Sequence, residues 1–250
     1  MHPVLIEFGH FAFYSYGFFV SAAFLLGMAW TMREAEIRGL DHRLVLDAGF
    51  YVILGGILCS RLVFVAANFE MYSDDLLDIL RLWKGGVVFM GGAVSSALML
   101  IVFLHYKKQP VAKWLDAAAP GAALGIGVGW LGCLASGCAY GKPTDLFWSI
   151  TYTHPDAVGP LFVAMHPVQA YQALAAFLCF IFLVLVRNKI AEPGRFAGLF
   201  LTIYVPLRMA MDLFRGDLQP ELGIISINQV LGIAVFVTGV VLLKRSVSSS

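Results

Sequence analysis

The feature that most constrains this chain is a succession of apolar runs, each about as long as the twenty residues a helix needs to cross a hydrocarbon core. They fall at Phe13–Thr31, Leu44–Ala66, Val87–His105, Leu115–Ser136, Val168–Val186, Phe196–Leu213 and Ile225–Leu243. The runs are continuous rather than alternating, which argues against a transmembrane β-barrel. A soluble core could not absorb them, because 60% of the chain is hydrophobic and only 13% is charged. Soluble domains carry about a quarter charged residues. The expectation is an all-α integral membrane protein with about seven transmembrane helices, built as a single transmembrane domain over residues 1–250.

Orientation follows from the basic residues of the connections. Arg33, Arg38 and Arg43 follow the first run, Lys107, Lys108 and Lys113 the third, and Arg187, Lys189 and Arg195 the fifth, while Lys244 and Arg245 close the last. The intervening connections hold Arg81 and Lys84, then Lys142, then Arg215. The bias places the C-terminus in the cytoplasm and, with seven crossings, the N-terminus outside. MHPVLIEFGHF lacks the basic start and small-residue cleavage site of a signal peptide, so the first run is expected to stay in the mature protein. A net charge of +1 and the lack of a basic tract give no sign of nucleic-acid binding. The four cysteines lie in or beside apolar runs, a pattern of neither a secreted disulfide framework nor a common zinc site. No metal or cofactor is expected.

Polar groups inside such runs carry the functional signal, since arginine at depth costs on the order of 2.5–3.5 kcal/mol or more. Arg61 lies near the end of the second run, where snorkelling to the headgroups competes with a functional role. Arg208 lies mid-run, and Tyr204, Arg208 and Asp212 recur every four residues, so they share one helix face that Arg215 continues. A structural Arg–Asp bridge would account for two of these groups, but four on one stripe imply a polar cavity opening outward. A guanidinium at depth with apolar walls suits a phospholipid, the guanidinium meeting the phosphate and the walls the acyl chains. His166, Gln169 and Tyr171 add titratable and hydrogen-bonding groups at the start of the fifth run, and Gly85, Gly86, Gly91 and Gly92 line the start of the third.

The densest stretch is Gly125 to Gly141, GIGVGWLGCLASGCAYG. Gly125 and Gly129 are spaced for close helix packing in a bilayer. Gly132, Gly137, Cys133, Cys138, Tyr140 and Lys142 gather where the run ends.

Taken in order, five elements resemble the prolipoprotein diacylglyceryl transferase family along nearly the whole chain. Ser15-Tyr16-Gly17 is similar to its Trp-Tyr-Gly element, and Trp83 to Gly92 to its glycine-flanked F-H-G-G element. Gly125 to Gly141 matches the family signature in every glycine. Met165 to Gln172 resembles R-H-P-S-Q-L-Y-E. Tyr204, Arg208, Asp212 and Arg215 resemble its Y-x-x-x-R-x-x-x-E-x-x-R helix, with Ser226 and Gln229 opening the last run as I-S-x-x-Q does. At Met90 the family has histidine and at Trp130 arginine, while Cys133, Ser136 and Cys138 stand for two asparagines and an acid.

The resemblance implies a bacterial inner-membrane, multi-pass enzyme that moves diacylglycerol from phosphatidylglycerol to the thiol of a lipobox cysteine in a prolipoprotein. It would make Arg208 the phosphate clamp, Asp212 its orienting partner, and Tyr16 and Tyr204 substrate-positioning groups. The replaced side chains leave His166 open as base, Arg61 or Lys142 as a second cation, and Cys133 or Cys138 as nucleophile. Two alternatives stay open: a lipid-group transferase with another acceptor, and an inactive phospholipid-binding membrane protein.

Overall fold

The computed structural model describes residues 2–8, 11–67, 69–72, 78–79, 81, 89–218 and 227–245. Seven helices dominate: α1 (Ser15–Ile37), α2 (Leu44–Ala67), α3 (Phe89–Tyr106), α4 (Val111–Ser136), α5 (Val168–Val186), α6 (Arg195–Asp212) and α7 (Ile227–Arg245). Two small antiparallel strand pairs add to the helical plan expected from the sequence. β1 (Val4–Phe8) pairs with β2 (Phe11–Tyr14), and β3 (Ile150–Thr151) with β4 (Ala164–Met165). The first pair precedes α1, and the second lies in the long connection between α4 and α5.

Among the described residues, four segments are long and apolar enough to cross a membrane: Ser15–Ile37, Leu44–Leu62, Val111–Ser136 and Val168–Lys189. The last helix holds a shorter apolar stretch, Gln229–Lys244, and α3 another, Val94–Tyr106. Helix α6 falls short of the same measure because it carries Arg195, Arg208 and Asp212. Its polarity is confined to chosen positions.

The chain divides into two compact units, residues 1–40 with 115–250, and residues 41–114. In the smaller unit α2 and α3 pack through small residues. A Cβ on Gly92 would stand 3.3 Å from the Gly56 carbonyl, and one on Gly55 would collide with Met99. Ser96 Oγ donates to the Val52 carbonyl at 3.0 Å across the same seam.

In the larger unit the core joins α4, α5 and α6 through Ala119, Ala123, Ala176, Cys179, Leu183, Phe196, Phe200 and Tyr204. Helix α1 lies antiparallel to α4 along small residues. A Cβ on Gly125 would come within 3.0 Å of the Ala23 carbonyl, one on Gly27 within 3.0 Å of the Gly121 carbonyl, and one on Gly132 within 2.8 Å of Phe19. The packing pair is therefore Gly121 with Gly125. Gly129, expected from its spacing to share this seam, faces open space, because nothing lies within 4 Å of its would-be Cβ. Gly198 and Gly239 seat α6 on α7 in the same way.

Candidate functional site

Helix α6 owes its position to a side chain outside it. Its start has a left-handed Gly194 and no cap of its own. Asp116 of α4, almost wholly buried, fills the role: Oδ2 accepts from Gly194 N at 2.7 Å and Oδ1 from Ala197 N at 2.8 Å. Two of the amide donors that every helix start leaves unsatisfied are met in this way. Pro206, two residues before Arg208, then withholds an N–H from the Thr202 carbonyl.

At the far end of α6 the predicted stripe is held from α5. Gln172, fully buried, donates Nε2 to the Arg208 carbonyl and to Asp212 Oδ1, both at 3.2 Å. Asp212 also receives Arg215 Nη1 at 3.4 Å, and the Arg208 charge acts on the same carboxylate. Arg215 is bidentate to Asp217, with Nε to Oδ1 at 2.9 Å and Nη2 to Oδ2 at 2.8 Å. Burial disfavours the Arg215 cation, but its two aspartates outweigh that and raise its pKa. Tyr204 is buried beside Phe200, with the Trp130 side chain at its hydroxyl. Tyr16 lies against Gly132, where the absent side chain lets α1 and α4 approach.

Residues 137–142 run from the end of α4 across the ends of α5 and α6. Gly137, at φ +83°, returns its N–H to the Cys133 carbonyl at 2.8 Å and ends the helix. Gln169 donates to the Cys138 carbonyl at 2.7 Å and to Tyr152 Oη at 3.2 Å. Gly216 N reaches the Tyr140 carbonyl at 2.9 Å, and Lys142 N the Phe214 carbonyl at 2.8 Å. Gly141 bridges Arg215, and any Cβ there would run into the His166 carbonyl. The His166 ring packs between Phe214 and Tyr171, at 5.3 and 6.3 Å, with Nδ1 buried and without a partner. Trp148 Nε1 donates to Tyr171 Oη at 2.6 Å.

The predicted groups Tyr16, Gly132, Gly137, Lys142, His166, Gln169, Tyr171, Tyr204, Arg208, Asp212 and Arg215 thus belong to one unit, most of them at one end of its helices. Cys133 and Cys138, expected as candidate nucleophiles, lie there with their sulfurs paired as a disulfide across a Cα separation of 4.9 Å. Others of the expected set lie elsewhere. Gly91, Gly92 and Arg61 belong to the smaller unit. Arg61 is buried, donates to the Asp78 carbonyl at 2.7 Å and the Ile79 carbonyl at 3.1 Å, and stands over the Tyr72 ring. Gly85 and Gly86 lie outside the described residues.

Three contributors escaped the sequence reading. Gln172 could have been found as the second amide of a pair three residues apart in an apolar run. Asp116 and Tyr152 gave no such signal, because their partners are distant in sequence.

Several apolar helices with carboxamide, guanidinium and tyrosine groups collected at one end define a helical membrane protein with a polar site built on its bundle. The chain belongs to the prolipoprotein diacylglyceryl transferase family, whose model matches residues 3–245. It is 28% identical over 240 residues to the phosphatidylglycerol–prolipoprotein diacylglyceryl transferase of Clostridium tetani, covering 96% of each chain. It is 33% identical over 247 residues to that of Aeromonas salmonicida, covering 95% of this chain and 87% of the relative. The enzyme of Parasynechococcus marenigrum is 32% identical over 209 residues.

Proposed function

We propose that this chain transfers the diacylglyceryl group of phosphatidylglycerol to the thiol of a lipobox cysteine in a prolipoprotein. The observation that carries the reading is the line of Tyr204, Arg208 and Asp212 on α6, braced by Gln172 and set in a chain that matches the transferase family over nearly its full length. The acceptor sulfur attacks the glycerol carbon bound to the phosphate oxygen. A carbon–sulfur bond forms, the carbon–oxygen bond breaks with its electron pair passing to the phosphate, and glycerol phosphate leaves. The thiol proton goes to a base.

In this reading Arg208 neutralises the departing phosphate, Gln172 and Asp212 hold it in place, and Tyr16 and Tyr204 position the lipid. His166, with a buried nitrogen free of partners, serves as base, and the exposed Lys142 supplies a second cation at the mouth. Arg61 takes no part, since backbone carbonyls already engage its guanidinium. The whole chain acts as one transmembrane domain with seven crossings, in a bacterial inner membrane. The N-terminus and the site face outward, and the clusters around Arg33, Arg38, Lys113, Arg187, Lys189 and Lys244 face the cytoplasm.

Purified protein in vesicles containing phosphatidylglycerol, given a lipobox peptide, tests the proposal. The peptide should gain one diacylglyceryl mass with equal release of glycerol phosphate. Absence of both, while a relative works in parallel, overturns it. Retained lipid without product would then mark a binding protein, and lipid consumed only with another acceptor a different transferase. Trp130, standing where the resemblance places an arginine, is the observation that keeps those outcomes in the test.

A further inference from the structure

We propose that Cys133 and Cys138 are oxidised on the extracytoplasmic face by thiol–disulfide exchange, and that their bond staples residues 137–142 across the ends of α5 and α6. The extracytoplasmic placement rests on the orientation proposed above, and the bond itself does not depend on the transfer reaction.

The two Cα atoms stand 4.9 Å apart, within the span a disulfide bridges without backbone movement. Cys133 sits in the last turn of α4 and Cys138 just past the left-handed Gly137, so the bond closes the helix end onto the segment that leaves it. That segment needs help. Ala139 is also left-handed, at φ +52°, a conformation that crowds its Cβ against the following carbonyl oxygen. Around the bond, described segments of the site's outer wall are tied to residues 136–142. Ser136 Oγ lies 3.4 Å from Cys138 Sγ, and the Ser136 carbonyl accepts from Val158 N at 3.0 Å. Gln169 holds the Cys138 carbonyl, and Tyr140 and Lys142 pair with Gly216 and Phe214. A covalent bond at this point restrains the pieces that carry His166, Gln169 and Arg215.

The other two cysteines give the internal contrast. Cys59 and Cys179 are free and lie within α2 and α5. Forming the bond removes two protons and two electrons from the thiols. The acceptor is the disulfide of a thiol-oxidising protein, which leaves as a dithiol.

Alkylating the full-length protein with a maleimide in intact cells before purification, then denaturing it under label and reading peptide masses, tests the bond. Cys59 and Cys179 should be labelled and Cys133 and Cys138 protected until a reductant is added. Label on Cys133 and Cys138 without reductant overturns the proposal, whether or not the protein transfers lipid. Hydrogen exchange of the purified protein tests the staple. Reduction should speed exchange at Val158 and Gly216 on the order of tenfold, with no change at Gly198 at the other end of α6. The double variant C133S/C138S should match the reduced protein. Equal rates before and after reduction would show that the bond holds nothing.

Discussion

Arg208 and two glycines show how single positions are decided. A guanidinium offers a planar fork that an ammonium cannot copy. Arg208→Lys should therefore lower kcat/KM for phosphatidylglycerol about 10²-fold, a loss typical of removing one oriented donor from a developing charge. Steady-state rates in vesicles check this. Gly141 and Gly129 make opposite predictions within one motif. An alanine at 141 would push its Cβ into the His166 backbone, whereas one at 129 meets nothing within 4 Å and sits inside a helix. Gly141→Ala should lower the thermal midpoint in detergent. Gly129→Ala should leave it unchanged or raise stability by up to about 1 kcal/mol through helix propensity.

Tyr152 gives a pH signature. Burial drives its phenol pKa up to about 12, partly offset by Gln169, while its hydroxyl donates to the Leu134 carbonyl at 3.2 Å. A raised folded pKa means the stabilisation is intact below the unfolded value near 10 and is lost as pH climbs through 12. Thermal midpoints of the parent should fall more steeply between about pH 10 and 12 than those of Tyr152→Phe.

At the scale of elements, α6 is the helix on which the site depends, and its two ends are held by neighbours. Asp116 caps its start and Gln172 braces its finish. Removing the cap leaves two amides without partners in the interior. Asp116→Ala should cost about 2 kcal/mol, and Asp116→Asn, which keeps one acceptor, about half that. Thermal unfolding in detergent reads the difference. The opening of α6 lies beside a second buried charge cluster. Glu34, wholly buried in α1, accepts from Arg187 at 3.1 Å and faces Arg38 at 3.8 Å, and Arg38 stands over Phe196. A salt bridge therefore ties α1 to the end of α5, and a cation–π contact ties α1 to the start of α6, at the end opposite the site.

For the whole molecule, the helices of the larger unit alternate in direction, so one end collects the first strand pair, the 137–167 connection and the end of α6. Basic residues collect at the other end. A reporter that is active only in the cytoplasm, fused after Arg245, should be active. One inserted into the exposed stretch near Phe147 should be silent. The opposite pattern would invert the proposed orientation.

By itself the sequence determined the apolar runs, hence the helices and their approximate ends, because a bilayer demands about twenty apolar residues per crossing whatever surrounds them. It also determined the α6 stripe, because a four-residue spacing places side chains on one face without reference to any partner. The glycine frame from 125 to 141 marked a special segment, but which glycine packs and which faces open space was decided by neighbouring helices. Gly121 and Gly125 meet α1, and Gly129 does not. Only the tertiary structure brought Asp116 to the start of α6, Gln172 to Asp212 and Arg61 to backbone carbonyls. These contacts join residues from 17 to 81 positions apart, and a hydrogen bond depends on distance in space, which spacing along the chain does not encode.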